Sequence, residues 1–182
     1  MSADRPAICV YCASGPVDEQ YLRLAAETGT ALAKAGFALV SGGGNVSMMG
    51  SVARAVRQAG GETIGVIPEH LMAKEVADLE ADELIVTDTM RERKRIMEDL
   101  ADGFITLPGG IGTLEEFYET WTGGYLGEHD KPVLLLDHDG FYQPMLTWLD
   151  DLRSWGFVSS GALDRLIVVE TVGAAVDYLT RR

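Results

Sequence analysis

The sequence predicts an α/β fold, a parallel sheet flanked by helices on both faces. Seven short apolar runs, rich in Val, Ile and Leu, show little of the alternation expected of half-exposed strands. Helical patterns separate these runs, and alternating β and α elements imply a parallel sheet covered by its crossover helices. Each glycine-rich turn follows a strand candidate, and in such sheets ligands bind beyond the carboxyl ends of the strands.

The elements follow in order. Ala7–Tyr11 reads as a buried strand and carries Cys9, with Cys12 just beyond it. Their C-x-x-C spacing suggests a redox pair or half a zinc site, but no second pair completes a metal site. Structural or ligand-adjacent thiols are the expectation, and two cysteines without a disulfide framework fit a reducing cytoplasm. Helix Glu19–Ala35 leads to strand Ala38–Ser41, whose glycine turn opens helix Met48–Ala59. Strand Thr63–Ile67 follows. His70–Asp82 is the least regular segment, expected to form a short helix and loop over one side of a site. Strand Glu83–Val86, helix Arg91–Ala101, strand Gly103–Leu107 and helix Leu114–Leu126 come next. Strand Pro132–Leu136, helix Tyr142–Ser154, strand Leu166–Val169 and helix Val172–Leu179 complete the pattern.

No linker, repeat or low-complexity block divides the chain, so residues 1–182 are expected to form one domain. Met1–Pro6 lacks the apolar run of a signal peptide, and no segment is long and apolar enough to span a bilayer. A cytoplasmic location away from membranes is therefore expected. The formal net charge of -13 argues against nucleic-acid binding, which leaves a basic footprint. Against that acidity, Arg91, Arg93, Lys94 and Arg95 crowd into one short helical segment.

This cluster and the glycine turn after it carry the chemistry. Strand Gly103–Leu107 runs into Pro108-Gly-Gly-Ile-Gly112, then Thr113, Leu114, Glu115 and Glu116. Glycines let a ligand approach the backbone, and a helix start presents free N–H groups and the positive dipole end to phosphate. Thr113 and Glu116 also have the T-x-x-E spacing of a capping box. Two readings of Glu116 therefore stand: it caps its own helix, or it serves a site. In the basic segment Arg93 lies three, four and seven residues before Ile96, Met97 and Leu100, so it points with the apolar face. A cation there needs a partner, either an internal ion pair or a ligand. Arg91 and Arg95 fall on another flank and are expected to be solvated or at an interface.

Two further turns follow strands. Gly42-Gly43-Gly44-Asn45 precedes Ser47, and Cys12-Ala-Ser14-Gly15 offers a hydroxyl at Ser14. Three such loops on one sheet edge would line a polar cleft. The P-loop pattern and G-x-G-x-x-G are absent, which argues against a nucleoside triphosphatase or a dinucleotide enzyme. No G-x-S-x-G elbow appears, and His70, His129 and His138 form no metal spacing, so no metal is expected.

Met90-Arg-Glu-Arg93-Lys94 followed by Pro108-Gly-Gly-Ile-Gly-Thr-Leu-Glu-Glu116 resembles the signatures of the LONELY GUY family, the cytokinin riboside 5′-monophosphate phosphoribohydrolases. Gly42-Gly-Gly-Asn45, Met49-Gly50, Gly65-Val-Ile-Pro68 with Glu75, and Leu126-Gly127 with His129-Asp-Lys-Pro132 extend the likeness over most of the chain. The resemblance implies a Rossmann-like, doubly wound sheet and a homodimer with sites near the subunit interface. It implies hydrolysis of a nucleoside 5′-monophosphate, N6-substituted AMP or AMP, to free base and ribose 5-phosphate, without a cofactor. Arg93 and Glu116 match the catalytic pair. Lys94, Gly109, Gly110, Gly112 and Thr113 match substrate and phosphate contacts, and Glu75 and Thr122 further ones. Ser14, Gly43, Met90, Ile111, Leu114 and Glu115 complete the expected binding set.

The chain departs from the family at Gly123-Gly-Tyr-Leu-Gly127, where Trp-x-Gln-Leu-Gly is frequent, and at Ser47, where glycine is common. Both departures bear on base preference and pocket shape. The label "lysine decarboxylase" given to some members fits poorly, because that chemistry needs a Schiff-base lysine and a pyridoxal phosphate site. Two other functions remain open at this point: general nucleotide salvage, and a non-catalytic carrier like those of molybdenum cofactor.

Overall fold

The computed structural model describes residues 5–73 and 76–181. Seven strands form one parallel sheet: β1 (Ala7–Tyr11), β2 (Ala38–Ser41), β3 (Thr63–Pro68), β4 (Glu83–Thr87), β5 (Gly103–Thr106), β6 (Val133–Leu136) and β7 (Leu166–Val169). Their order across the sheet is β4-β3-β2-β1-β5-β6-β7, all neighbours parallel. The chain thus builds outward from β1 through β4, returns to the other side of β1, and builds outward again. That reversal is what "doubly wound" means, and it leaves a switch point between the carboxyl ends of β1 and β5.

The helices are α1 (Glu19–Lys34), α2 (Ser47–Gln58), α3 (Met90–Leu100), α4 (Ile111–Leu126), α5 (Gln143–Ser154), α6 (Ser160–Leu163) and α7 (Val172–Thr180). Strand side chains alternate between two cores. Ile8, Val10 and Ile105 pack under α1, α2 and α7 with Leu32, Val52 and Leu179. Cys9, Tyr11 and Phe104 pack under α3, α4 and α5 with Met97, Phe117 and Leu149. The central strands are buried on both faces, as their unbroken apolar runs require. The outer strands β4 and β7 are only part-covered, and Val86 is 50% exposed. Their edge position, not their composition, sets that difference. No described helix is long and apolar enough to cross a membrane.

Most boundaries fall within a residue or two of the expected ones. Two differences matter. Helix α6 had no counterpart, being a single turn capped by Ser159, whose hydroxyl accepts from Ala162 N–H at 3.1 Å. Helix α4 starts at Ile111 rather than Leu114, with Gly110 as its N-cap. That moves Thr113 into the third helical position and Glu116 well inside the helix, so the capping-box reading of this pair is wrong. The Thr113 side chain instead folds onto Gly109, where a Cβ would stand 2.2 Å from its hydroxyl oxygen. The hydroxyl half of the motif is realised elsewhere, at the start of α3, where the carboxylate reaches the residue before the cap. Thr89 accepts from Glu92 N–H at 3.2 Å, and the Glu92 carboxylate accepts from Asp88 N–H at 3.0 Å.

Candidate active site

A cleft of ≈ 390 Å³ opens at the switch point. One wall is the loop after β1, Cys12–Val17, and the other is the first turns of α4. Met90 and Arg93 of α3 close it from a third side, with Met49 of α2 and Leu71. The irregular segment after β3 thus supplies a 3-10 turn, Glu69–Leu71, that reaches the cleft as anticipated.

Arg93 owes its position to its helical register. Three and four residues from Ile96 and Met97, it turns with the buried stripe of α3 and is 5% exposed. Its Nη2 donates to the Gly42 carbonyl oxygen at 3.3 Å and lies 3.9 Å from Glu116 Oε1. Its Nη1 approaches Met90 Sδ at 3.7 Å. Its Nε is buried and makes no hydrogen bond among the described residues. Such donors are rare in folded proteins and cost free energy unless they meet an acceptor.

Glu116 is mostly buried, 13% exposed at its side chain, and faces the end of β1. Its charge adds to burial in holding the thiols of Cys9 and Cys12 well above the ordinary range. Burial, with Glu116 adding to it, also pushes Tyr11 upward, and its hydroxyl meets Thr120 Oγ1 at 2.9 Å. All three groups therefore stay protonated at neutral pH, and the low-dielectric floor they form strengthens any charge interaction above it. The thiols are unpaired and buried, as expected of structural cysteines, although Cys12 reaches the cleft.

Ser14, Gly110, Ile111, Gly112, Thr113 and Glu115 all line the cleft, together with Met90, Arg93 and Glu116. Gly110, Ile111 and Gly112 are exposed at the start of α4, where the first N–H groups have no intrahelical partner. Gly109 and Leu114 stand behind this rim. Lys94 is not among the residues that line the cleft. Its Nζ is held by Glu115 and by Glu119 Oε2 at 2.6 Å, bridging α3 to α4. Burial pulls this ammonium down, but the hydrogen bonds and charges of Glu115 and Glu119 outweigh it and raise Lys94 above its ordinary value. Thr122 lies apart, in a separate apolar groove with Tyr118, Trp121, Tyr125, Trp148 and Phe157. Gly43 lies beneath the site rather than on its surface, at φ 72°, a left-handed conformation that favours glycine. Glu75 lies outside the described residues.

Sequence reasoning missed Pro16, Val17, Met49 and Leu71 as cleft residues. Only the position of their loops after strand ends hinted at them. The two departures now have a place. Gly123 and Gly124 pack against His129, where a Cβ on Gly124 would sit 3.0 Å from the ring. Ser47 takes the left-handed conformation at φ 50°, and its hydroxyl donates to the Gly15 carbonyl at 2.5 Å, tying α2 to the loop after β1. That bond offsets a strain of about 1–2 kcal/mol that glycine would avoid.

Comparison with known proteins places this geometry in context. The family model "Possible lysine decarboxylase" matches residues 49–179. A cytokinin riboside 5′-monophosphate phosphoribohydrolase of Mycobacterium tuberculosis is 54% identical over 169 residues, covering 93% of this chain and 90% of that protein. The rice enzyme of the same description is 45% identical over 165 residues, covering 90% of this chain and 68% of that one. Among solved structures, a molybdenum cofactor carrier protein of Chlamydomonas reinhardtii superposes with a TM-score of 0.71 at 25% identity, covering 97% of both chains.

Proposed function

Because the chain belongs to the LONELY GUY family, we propose that it hydrolyses the N-glycosidic bond of cytokinin riboside 5′-monophosphates, N6-substituted AMP and AMP itself, to free base and ribose 5-phosphate. The observation that carries this reading is the convergence of Arg93 and Glu116 on one cleft with the open start of α4. A carrier needs the phosphate-binding turn but not a buried carboxylate and guanidinium beside it.

The 5′-phosphate docks on the N–H groups of Ile111, Gly112 and Thr113, where the helix dipole favours an anion. Glu116 stands three to five residues further along α4, an axial rise of about 4.5 to 7.5 Å. That span is on the scale of a ribose 5-phosphate, so the anomeric carbon comes to the carboxylate. As the bond to the base breaks, its electron pair leaves with the base and positive charge grows on the ribose. Glu116 stabilises that charge and deprotonates the attacking water, whose oxygen forms the new bond to the anomeric carbon. Arg93, on the cleft wall, balances the two anions. The proton that Glu116 takes from the water passes through solvent to the nitrogen of the departing base, which restores the carboxylate.

Lys94 acts through Glu115 and Glu119, fixing α3 against α4, while Ser14, Met90 and Glu75 complete the substrate contacts. The protein works as a homodimer, for which the aromatic groove containing Thr122 is the supporting feature; exposed Trp148 and Phe157 suit a covered surface. It acts in the cytoplasm on a free nucleotide, in keeping with two unpaired thiols and a net charge of -13 that disfavours nucleic acid.

A product assay tests the reading. Purified protein is incubated with AMP, N6-isopentenyl-AMP, GMP, CMP and the unphosphorylated nucleosides, and free base and ribose 5-phosphate are quantified together. Release from the isopentenyl monophosphate in preference to AMP, and none from nucleosides, is expected. Better release from AMP would reassign the protein to general salvage, and no release from any would return it to the carrier reading.

A further inference from the structure

We propose that the Arg57–Asp78 ion pair, outside the cleft, is a latch that positions Arg93 through the glycine loop Gly42–Asn45. The kinetic part of this inference rests on the function proposed above.

The connection runs through contacts at every step. Arg57 of α2 grips Asp78 with two hydrogen bonds, Nη1 to Oδ2 at 2.8 Å and Nη2 to Oδ1 at 3.3 Å. The Asp78 side chain is 3% exposed and that of Arg57 17%, so the pair is poorly screened by solvent. Asp78 N–H donates to the Gly43 carbonyl at 2.8 Å, Asn45 N–H donates to the Val76 carbonyl at 2.8 Å, and an antiparallel bridge joins Gly44 to Ala77. The segment 76–78 therefore straps the glycine loop. Val76 is held at φ 49°, a conformation a β-branched residue adopts only when its surroundings impose it.

The strap matters because the loop has no slack. Gly43 packs so closely on β3 that a Cβ on Gly65 would stand 2.9 Å from the Gly43 Cα. On the other side a Cβ on Gly42 would stand 1.9 Å from Arg93 Nη2. The same Gly42 offers its carbonyl to that Nη2, so the backbone both limits and directs the guanidinium. With Nε unpartnered among the described residues, this bond to Gly42 and the longer approach to Glu116 aim the cation. Loosening Asp78 would release Gly43, let Gly42 drift, and turn Arg93 away from the reacting bond.

The test uses Asp78→Asn, which keeps size and the backbone bond but removes the charge, and Arg57→Lys, which keeps the charge but loses the bidentate grip. Glu80→Gln is the control, since Glu80 is an exposed partner of the same arginine. Two readouts are taken on folded protein. One is the Arg93 Nε–H resonance, assigned by its loss in Arg93→Lys; the other is kcat and KM for N6-isopentenyl-AMP. A shifted or exchange-broadened Arg93 resonance is expected in both latch variants, with kcat down about 10- to 100-fold and KM changed less than about threefold. Glu80→Gln should leave both readouts unchanged. Asp78→Asn or Arg57→Lys with an unaltered Arg93 resonance and unaltered kcat would overturn the latch, whatever their melting temperatures. Should Asp78→Asn fail to fold, Arg57→Lys decides alone. If the wild-type protein hydrolyses no monophosphate, the activity reading fails, while the resonance still decides the latch.

Discussion

The Arg93 guanidinium stops 3.9 Å from the Glu116 carboxylate and donates to the Gly42 carbonyl instead. At that separation the charges support each other without the close hydrogen bond that would neutralise both. The Gly42 carbonyl, a backbone group, orients the guanidinium beside the carboxylate.

Glu116→Gln follows directly. Because Gly110 caps α4, the substitution removes no cap. Turnover should fall by about 10²- to 10³-fold while the melting temperature moves little. Steady-state kinetics beside a thermal melt check this; full activity in the variant would remove Glu116 from the chemistry.

Gly42→Ala places a methyl 1.9 Å from Arg93 Nη2 and 3.0 Å from its Cζ. The guanidinium must turn away. A loss of about 100-fold in kcat is expected, at a stability cost of roughly 1–3 kcal/mol, and denaturant titration separates the two effects.

Gly109→Ala acts on the other wall. Its methyl would meet the Thr113 hydroxyl at 2.2 Å and the Thr113 Cβ at 2.4 Å, so the first turn of α4 must shift. KM for the monophosphate should rise more than about tenfold, because several phosphate-binding N–H groups move together. An unchanged KM would place the phosphate elsewhere.

Lys94→Met probes the clamp between α3 and α4. The folded-state value of Lys94 is raised, so its contribution is complete below the ordinary lysine range and disappears as pH climbs through the raised value. Wild type should exceed the variant by about 1 kcal/mol, with a difference that is flat from about pH 6 to 9 and closes only in strong alkali. Melting curves across that range would show it, and a gap that widened with pH would contradict the assignment.

Burial, reinforced by Glu116, raises the Cys9 and Cys12 thiols, so neither forms thiolate at mildly alkaline pH. Iodoacetamide should label native protein far more slowly than unfolded protein. Rapid stoichiometric labelling without loss of fold would show Cys12 to be reactive in the cleft.

The alternation of apolar runs and helical patterns made the sheet legible, because a strand buried on both faces has to be apolar throughout. The register of Arg93 against Ile96 and Met97 was legible for the same reason: helical geometry fixes which side chains share a face. The T-x-x-E spacing left two readings open at Thr113; it occurs twice, and spacing cannot tell which copy has the room to cap. Gly110 in extended conformation ends that ambiguity at α4, and Thr89 meets the requirement at α3. The direction of Lys94 was equally hidden, since it depends on Glu115 and Glu119 from another helix.

The sequence by itself determined the strands and the longer helices, their parallel arrangement, and the pairing of a basic helix with a glycine turn. These are local properties, written in periodicity and backbone freedom. Tertiary structure alone decided that β1 and β5 lie side by side, that their loops form one cleft, and that Arg93 rests on Gly42. It also tied that glycine, through segment 76–78, to an ion pair on the far side of α2. Such relations join residues distant in sequence. They arise only when strand order and close packing bring backbone within hydrogen-bond reach of a side chain.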